Sequence, residues 1–500
     1  MPKRKAIALL ATLALDHASS TPLYQQLYEE LRRAMLTEQC PAGTKLPSTR
    51  LLASELGISR NTVLNAFEQL MAEGYLETQH GSGTFVAQAL PEELLGVPGG
   101  APQSPGPVRE GAPIAQVGAR LLSAVPRMPG PLVPQARRKP RAFRQGVPAL
   151  DAFPHALWGR FLGRCWRRSA YELLNYGEHK PLCEAIAAYL GAGRGVRCTA
   201  EQVVVVTGSQ QGLDLVARVL LNPGDAAWIE DPGYSGAYGA LLGSGAAVVP
   251  VPVDAEGLDV AAGRERCPGA RLAFVTPSHQ FPLGVTMSLK RRLELLEWAS
   301  RANAWILEDD YDSEYRYVGR PLAALQGLDR EKRVIYLGTF SKVMFPALRL
   351  AYLVVPPHLV DAFYAARLFA TMFPPLLEQA VLAEFIAEGH FARHIRRMRA
   401  LYAERQATLV EAARRKLGGL LDVPPAEAGM HLVGWLPDGV DDQTASQRAT
   451  AHGVDAFPLS TYYLETPRRS ALLLGYTAVN EEEIEYGVSR LARALKTGAR

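Results

Sequence analysis

The chain has 500 residues, more than one hydrophobic core usually organises, so at least two domains are expected. Its net charge is only +4, and the excess falls in one segment, because residues 1–90 balance eight basic with eight acidic side chains while residues 91–145 hold eight basic and three acidic ones. The five cysteines show no C-x-x-C spacing, which argues against a metal site and against a secreted disulfide framework. No apolar stretch approaches the roughly 20 residues of a membrane-spanning helix, which argues against a membrane protein.

The first fifteen residues combine Lys3-Arg4-Lys5 with an apolar run over residues 6–15, a pattern that secretory signals share. A DNA-binding pattern follows directly, and such a domain has no use outside the cytoplasm. We therefore expect the run to pack on the first domain as a short strand or helix, and we expect a cytoplasmic protein.

Three helices and a hairpin are predicted before residue 90. Thr21-Pro22 is typical of a helix start, and apolar residues then recur along one helical face up to about residue 38. Ser48 and Ser59 are suitable N-caps for two further helices, residues 48–56 and 59–73, with Gly57 in the turn between them. Two β-prone runs joined by a polar turn then predict a hairpin over residues 75–86.

The third predicted helix has the form of a recognition helix. Its first residues are short, polar or basic, which suits the major groove, while Val63, Phe67 and Leu70 face the domain core. The preceding helix can bind the DNA backbone, and the small hairpin tip can approach a minor groove or a phosphate closely. The predicted contacts with double-stranded promoter DNA are Arg50, Ser59, Arg60, Asn61, Thr62, Asn65, His80, Gly81 and Ser82.

Four short stretches together resemble the GntR family of winged-helix regulators: residues 46–50 (LPSTR), 59–63 (SRNTV), 73–76 (EGYL) and 81–86 (GSGTFV). The resemblance covers roughly residues 20–87 and implies a DNA-binding domain over residues 1–88. The alternative is a winged helix used only for contact with proteins, since three helices and a hairpin also occur in proteins that never bind DNA.

A linker is predicted over residues 89–148. Residues 91–148 hold twelve of the 36 prolines, and a segment so rich in proline and glycine is not expected to form regular helices or strands. Its basic residues, Arg137, Arg138, Lys139, Arg141 and Arg144, either touch DNA phosphates or are simply solvated.

An α/β domain is predicted over residues 149–500. Strands alternate with amphipathic helices, which indicates βαβ crossovers and a largely parallel sheet. The pattern from about residue 351 is helical and then mixed, so a small α+β subdomain is expected over approximately residues 375–500. The predicted strands are residues 203–206, 226–229, 247–251, 272–275, 304–307 and 334–337.

The ends of these strands carry what pyridoxal phosphate requires: a lysine, a carboxylate for the pyridine nitrogen, an aromatic ring and phosphate donors. Asp309 follows one predicted strand, and Lys342 follows another. The polar turn over residues 207–212 opens a helix, where backbone amides can hold a phosphate. The predicted cofactor residues from these segments are Ser209, Gln210, Tyr234, Asp309, Tyr311, Thr339, Ser341, Lys342 and Arg349, with Lys342 as the Schiff-base lysine and Tyr311 at the phenolic oxygen.

The same segments resemble the fold-type I aminotransferases, and the whole chain resembles the MocR subfamily of GntR regulators. The resemblance rests on residues 231–234 (DPGY), 276–282 (TPSHQFP), 308–314 (EDDYDSE) and 339–342 (TFSK). It implies a homodimer, expected to be head-to-tail, in which Tyr176 reaches the partner's phosphate. It also implies that His279 stands where aminotransferases usually place an asparagine beside the cofactor oxygen.

The arginine that normally binds the substrate carboxylate is missing from residues 471–476 (ALLLGY). At the arginine positions of GabR-type regulators, which recognise GABA, this chain has Gly236 and Thr461, although Arg468 or Arg469 can substitute. We therefore interpret the chain as a sensor of pyridoxal phosphate itself, like the PdxR regulators of vitamin B6 synthesis, with little turnover. The alternatives are a GabR-like sensor of an amino acid or amine, an aminotransferase that also binds DNA, and a regulator whose second domain has lost the cofactor.

Overall fold

The computed structural model describes residues 15–17, 19, 21–37, 39–79, 82–91, 114–128, 140–319 and 322–496. The chain divides into two compact units, residues 1–113 and 114–500. The predicted N-terminal apolar run lies outside the described residues up to residue 14, as do His80, Gly81 and residues 137–139. None of the described helices is long and apolar enough to span a bilayer.

The first unit has the predicted three helices and hairpin. Ser48 and Ser59 cap the second and third helices through hydrogen bonds from the backbone N–H of Leu51 (3.3 Å) and Thr62 (3.1 Å). The first helix starts later than predicted, because Pro22 occupies the N-cap position without a side-chain cap. The elements are α1 (Leu23–Leu36), α2 (Thr49–Leu56), α3 (Arg60–Ala72) and the antiparallel pair β1 (Leu76–Gln79) and β2 (Gly83–Val86).

The predicted linker is wrong in one respect, because it contains a regular helix, α4 (Gln116–Ala124). The prolines that were expected to prevent helices flank this stretch at positions 113 and 126, so its interior is free to form one. Residues 140–148 also belong to the second unit: Phe143 is fully buried, and the backbone N–H of Gly475 donates to its carbonyl at 3.0 Å.

A largely parallel sheet of eight strands forms the centre of the second unit. The strands are β3 (Val203–Val206), β4 (Ala226–Asp231), β5 (Ala247–Asp254), β6 (Gly257–Leu258), β7 (Leu272–Val275), β8 (Trp305–Asp310), β9 (Val334–Thr339) and β10 (Ala351–Val354). Their order in the sheet is β3-β10-β9-β8-β7-β4-β5-β6. The six predicted strands are confirmed, and β4, β5, β8 and β9 extend beyond their predicted ends.

Strand β10 is a correction to the sequence prediction, which expected helices from residue 351 onward. This four-residue apolar run lies antiparallel between β3 and β9. A run this short is ambiguous between strand and helix from its periodicity alone. Its insertion leaves β3 parallel to β9, so the sheet order brings the end of β3 close to the end of β9.

Helices cover the sheet and connect its strands. They are α5 (His155–Leu173), α6 (Lys180–Arg194), α7 (Ser209–Leu220), α8 (Ser235–Gly243), α9 (Val260–Arg266), α10 (Leu289–Arg301), α11 (Leu325–Leu328) and α12 (Val360–Thr371). The small subdomain contains α13 (Leu376–Ala387), α14 (His390–Lys416), β11 (His431–Trp435), α15 (Asp442–Ala451), β12 (Phe457–Pro458), β13 (Ala471–Gly475) and α16 (Glu481–Lys496), with its three antiparallel strands in the order β11-β13-β12.

Strands β3, β4, β7, β8 and β9 all point the same way. The residues that follow their carboxyl ends therefore meet along one edge of the sheet, which is where open α/β sheets bind ligands. The predicted cofactor segments come from these ends.

Candidate DNA interface and cofactor site

The start of α3 presents polar side chains to solvent. Arg60, Asn61 and Asn65 are exposed, and Asn61 and Asn65 lie one turn apart on the same face. The hydroxyl groups of Ser59 and Thr62 are 2.9 Å apart, so the cap orders the helix end that carries these side chains. The buried residues of α3 are Val63, Ala66, Phe67 and Leu70, as a recognition helix requires.

Two other predicted DNA contacts lie outside α3. Arg50 is exposed on α2, and Ser82 is exposed at the start of the return strand of the hairpin. The other two predicted tip residues, His80 and Gly81, are not among the described residues. Lys45 is also exposed, with its ammonium 5.7 Å from the centre of the Phe85 ring; the sequence prediction did not include it.

A cavity of about 230 Å³ lies at the carboxyl edge of the large sheet. It brings together six of the predicted cofactor residues: Ser209, Tyr234, Asp309, Tyr311, Thr339 and Lys342. The lining also includes nine residues that were not predicted: Met128, Gln145, Gly146, Ser235, Thr276, Phe281, Met430, His431 and Tyr462.

Lys342 lies in the wall of this cavity. Its Nζ donates a hydrogen bond to the carbonyl of Gly146 at 2.9 Å. Gly146 has a φ of +70°, and a Cβ there would come within 2.7 Å of the lysine nitrogen. Burial lowers the pKa of Lys342 below its ordinary value. A larger fraction of the amine is therefore neutral near pH 7, which is the form that reacts with a carbonyl carbon.

Asp309 supplies a carboxyl group with an unused acceptor. Its Oδ1 is buried and has no hydrogen-bond partner within the described part of the chain. Burial, followed by the charge of Asp310, raises the pKa of Asp309 to about 8, and the positive charge of Lys342 opposes the rise. A buried carboxylate of this kind is costly without a cationic partner, and a protonated pyridine nitrogen is such a partner.

The turn at the start of α7 is suited to a phosphate group. Gly208 occupies the N-cap position with a φ of +104° and no side-chain cap, so the first amides of the helix are not capped. Arg349 lies over this turn, where its guanidinium donates to the carbonyl of Thr207 at 2.9 Å. A Cβ at position 208 would lie 2.8 Å from that guanidinium. Ser341, half-buried, donates its backbone N–H to Thr339 Oγ1 at 3.2 Å.

These residues fit pyridoxal 5′-phosphate. Lys342 would hold its aldehyde carbon, Asp309 its pyridine nitrogen, Tyr234 its ring, and the Gly208 turn with Arg349 its phosphate. When bound, the cofactor supplies a ring that withdraws electrons from the group attached to it. The unpartnered Asp309 oxygen is the observation on which this fit rests.

His279, predicted beside the cofactor oxygen, is not among the described residues that line the cavity, and its role toward the cofactor remains a prediction. It is buried behind Tyr311, with its Nδ1 2.9 Å from the Tyr311 hydroxyl and 3.1 Å from Asp312 Oδ2. Phe281, two residues later, lines the cavity instead and contacts the Tyr311 ring edge-on at 6.0 Å. His279 therefore positions Tyr311, whose hydroxyl was expected at the phenolic oxygen of the cofactor.

Two further predicted residues lie away from the cavity. Gln210 donates through Nε2 to the carbonyl of Gly236 at 2.8 Å and so braces the loop that carries Tyr234. Tyr176 is 72% exposed, and its expected contact with a partner subunit remains a prediction. A Cβ at Gly236 would lie 2.5 Å from the Tyr234 ring and from Gln210 Oε1, so any side chain at this position requires those groups to shift.

The side of the cavity away from the sheet is built from neutral groups. Gln145 donates through Nε2 to the Tyr462 hydroxyl, while its Oε1 is buried without a partner among the described residues. Burial lowers the pKa of His431 to about 4, so this ring is uncharged at neutral pH. Leu473, in the segment that lacks the carboxylate-binding arginine, packs with Val433, Tyr462 and other apolar residues. Arg469 instead lies over the Trp435 ring at 4.8 Å.

Most residues that the sequence prediction missed come from segments without a recognisable motif. Gln145 and Gly146 precede the domain as it was predicted, and Met430, His431 and Tyr462 come from the small subdomain. Thr276 and Phe281 lie within the TPSHQFP motif, so their position in the motif was a usable signal. Their side chains gave no indication of which would face the ligand.

Two family matches divide the chain as the two units do. Residues 23–86 match the family described as bacterial regulatory proteins, gntR family, and residues 167–491 match aminotransferase class I and II. The chain is 44% identical to a probable rhizopine catabolism regulatory protein, MocR, of Rhizobium meliloti, over 97% of this chain and 96% of the relative. It is 30% identical to the pyridoxine biosynthesis regulator PdxR of Corynebacterium glutamicum, over 97% of this chain and 99% of the relative.

A solved enzyme shares the fold of the second unit. The kynurenine aminotransferase of Pyrococcus horikoshii, whose structure holds PMP, is 29% identical, with a TM-score of 0.67 over 78% of this chain and 96% of that one. The predicted fold class and the predicted cofactor are therefore confirmed. The chain belongs to the MocR subfamily of GntR transcription regulators, in which a winged-helix DNA-binding domain is joined to an aminotransferase-like domain whose cofactor is pyridoxal 5′-phosphate.

Proposed function

We propose that this regulator senses pyridoxal phosphate itself, held at Lys342, and controls genes of vitamin B6 synthesis from the cytoplasm. The cavity offers a partner for each end of the cofactor, and the free Oδ1 of Asp309 is the observation that supports the proposal most directly. Among the described lining residues, Lys342 is the one lysine or arginine, and the lining histidine, His431, is uncharged at neutral pH. The lining thus favours the cofactor over an α-amino acid, whose carboxylate would need a second cation.

A second candidate is an amine effector that reaches the cofactor at Lys342. Gln145 Oε1 is a buried acceptor without a partner among the described residues, and such an atom is suited to a hydroxyl or ammonium donor on a ligand. The MocR relative, named for rhizopine catabolism, is more similar to this chain than PdxR is. Titration with pyridoxal phosphate alone, and then with amines in its presence, separates the two candidates.

Removing Lys342 tests the proposal. In Lys342→Ala, added pyridoxal phosphate should no longer produce the visible absorbance band of the lysine-bound cofactor. It should also no longer change the affinity for a DNA fragment from the promoter of the chain's own gene. The matched control is Lys290→Ala, which removes an exposed lysine of α10 that pairs with Glu294. A Lys342→Ala protein that keeps both responses would refute the assignment.

The DNA interface gives a separate prediction. Arg60→Ala should weaken binding to promoter DNA about fivefold or more, because a base contact of arginine contributes roughly 1–3 kcal/mol. Fluorescence anisotropy at fixed salt measures the change. Arg33→Ala is the control, since Arg33 is an exposed arginine of α1 that pairs with Glu30 at 2.6 Å. Equal losses in both variants would show that α3 does not read the DNA.

Asp309 should make the stability of the cofactor-free protein depend on pH. Its pKa is about 8 in the folded protein, against an ordinary value of 3.8. Between these values the folded state binds the extra proton, so stability falls as pH rises. Relative to Asp309→Asn, the wild type should lose up to ~1.4 kcal/mol per pH unit from pH 5 to 7 in urea unfolding. Asp438→Asn, in an exposed loop, is the control; parallel curves for the wild type and Asp309→Asn would contradict the prediction.

The exposed apolar residues near Tyr176 support the proposed homodimer. Tyr171, Leu174 and Phe369 are 87%, 72% and 86% exposed. Glu178, in the loop between α5 and α6, pairs with Arg367 of α12 at 2.8 Å, so the segment that follows α5 lies beside α12. An exposed apolar patch of this kind is typical of a protein interface. The head-to-tail arrangement remains a prediction.

A charge placed in this patch should disrupt the dimer. Phe369→Asp should shift the sedimentation coefficient at micromolar protein from that of a dimer to that of a monomer, because an unpaired carboxylate is costly to bury at an interface. Leu289→Asp changes another exposed apolar residue, 61% exposed on α10, and should leave the dimer intact. A Phe369→Asp dimer as tight as the wild type would place the interface elsewhere.

A further inference from the structure

Residues 114–128, here called the strap, form part of the second unit although they precede its sheet. Helix α4 of the strap packs against α8, with Leu121 next to Gly243. Helix α8 begins at Ser235, immediately after the cavity residue Tyr234. The strap therefore lies against the helix whose first residues form one wall of the cofactor cavity.

Arg127, near the end of the strap, bonds to both sides of the cavity entrance. Its carbonyl accepts a hydrogen bond from Ser235 Oγ at 2.8 Å, on the side of the large sheet. Its guanidinium donates to the carbonyl of Tyr463 in the small subdomain and lies 5.7 Å from the Tyr238 ring on α8. One linker residue thus joins the segment after β4 to the loop that carries Tyr462.

Met128, the next residue, lines the cavity itself together with Tyr234 and Tyr462. Its side chain is 46% exposed, so it lies at the mouth of the cavity rather than in its core. A ligand bound at Lys342 shares this cavity with Met128. The ligand site therefore includes part of the chain that leads directly to the DNA-binding unit.

Coupling between two sites requires that the ligand interact differently with the two states of the element that connects them. The strap meets this requirement in two ways. A ligand can contact Met128 directly, and it can change the separation of Ser235 and Tyr463, the two anchors of Arg127. In either case the strap is held more firmly or less firmly when the cavity is filled.

We propose that Met128 is the linker's own part of the effector site, that Arg127 docks the strap beside it, and that ligand occupancy at Lys342 changes DNA affinity through the docking of the strap. This proposal rests on the proposed function, since it requires a ligand at Lys342. It assigns Arg127 as a positioning residue that joins the two walls of the cavity. Met128 is assigned as a residue that touches the ligand.

The test uses the full-length chain with pyridoxal phosphate as the probe. Arg127→Ala is compared with Arg120→Ala, an exposed arginine of the same strap. Three quantities are measured for each protein: cofactor binding by absorbance, affinity for promoter DNA with and without cofactor, and hydrogen exchange of residues 116–128 with and without cofactor.

In the wild type and in Arg120→Ala, the cofactor should change DNA affinity at least about fivefold, the lower end of typical allosteric coupling, and should change the exchange of the strap. Arg127→Ala should bind the cofactor within about threefold of the wild type, while its DNA response falls below about twofold and its strap exchange no longer responds. Two results would overturn this inference alone. One is an Arg127→Ala protein in which the cofactor changes DNA affinity as much as in the wild type. The other is a wild-type strap whose hydrogen exchange is the same with and without cofactor. A wild type that binds no cofactor would overturn the proposed function as well.

Discussion

The cofactor site of the second unit depends on one buried carboxyl oxygen, Oδ1 of Asp309. Asp309, the next-to-last residue of strand β8, has no partner for its Oδ1 among the described residues and shares a cavity with Lys342, which follows β9. The two residues meet because β8 and β9 are parallel neighbours. A fold that keeps such a group buried needs a cationic partner for it, and a pyridine nitrogen at this position supplies one.

The two sides of the cavity differ in character. One side carries the residues that would hold the cofactor, and the other side carries uncharged side chains. Arg349 lies over the Gly208 turn, which is suited to a phosphate, and His279 bonds to the Tyr311 hydroxyl. On the opposite side, the lining includes Gln145 and an uncharged His431. These neutral side chains are the reason that we propose a sensor of the cofactor rather than a transaminase.

The sequence predicted structure best where one physical signal, such as a run of apolar residues, determines the element. Apolar runs of four or five residues predicted six strands, and the polar residues that follow them predicted Lys342, Asp309 and Tyr234 in one cavity. The sequence predicted structure least well where packing between distant segments determines which element forms or which residue lines the cavity. Strand β10 is too short to distinguish by periodicity, and α4 forms within a proline-rich segment because it packs on α8. Gln145 and His431 reach the cavity from distant segments, which no local pattern indicates.

The central claim is that Asp309 holds a protonated pyridine ring at Lys342. It is tested most directly by the nitrogen-15 chemical shift of pyridoxal phosphate labelled at its ring nitrogen and bound to the full-length protein. We predict the shift of a protonated pyridine nitrogen throughout the range from pH 6 to 8, and its loss in Asp309→Asn. A neutral ring nitrogen in the wild type, or a shift that Asp309→Asn leaves unchanged, would contradict the account.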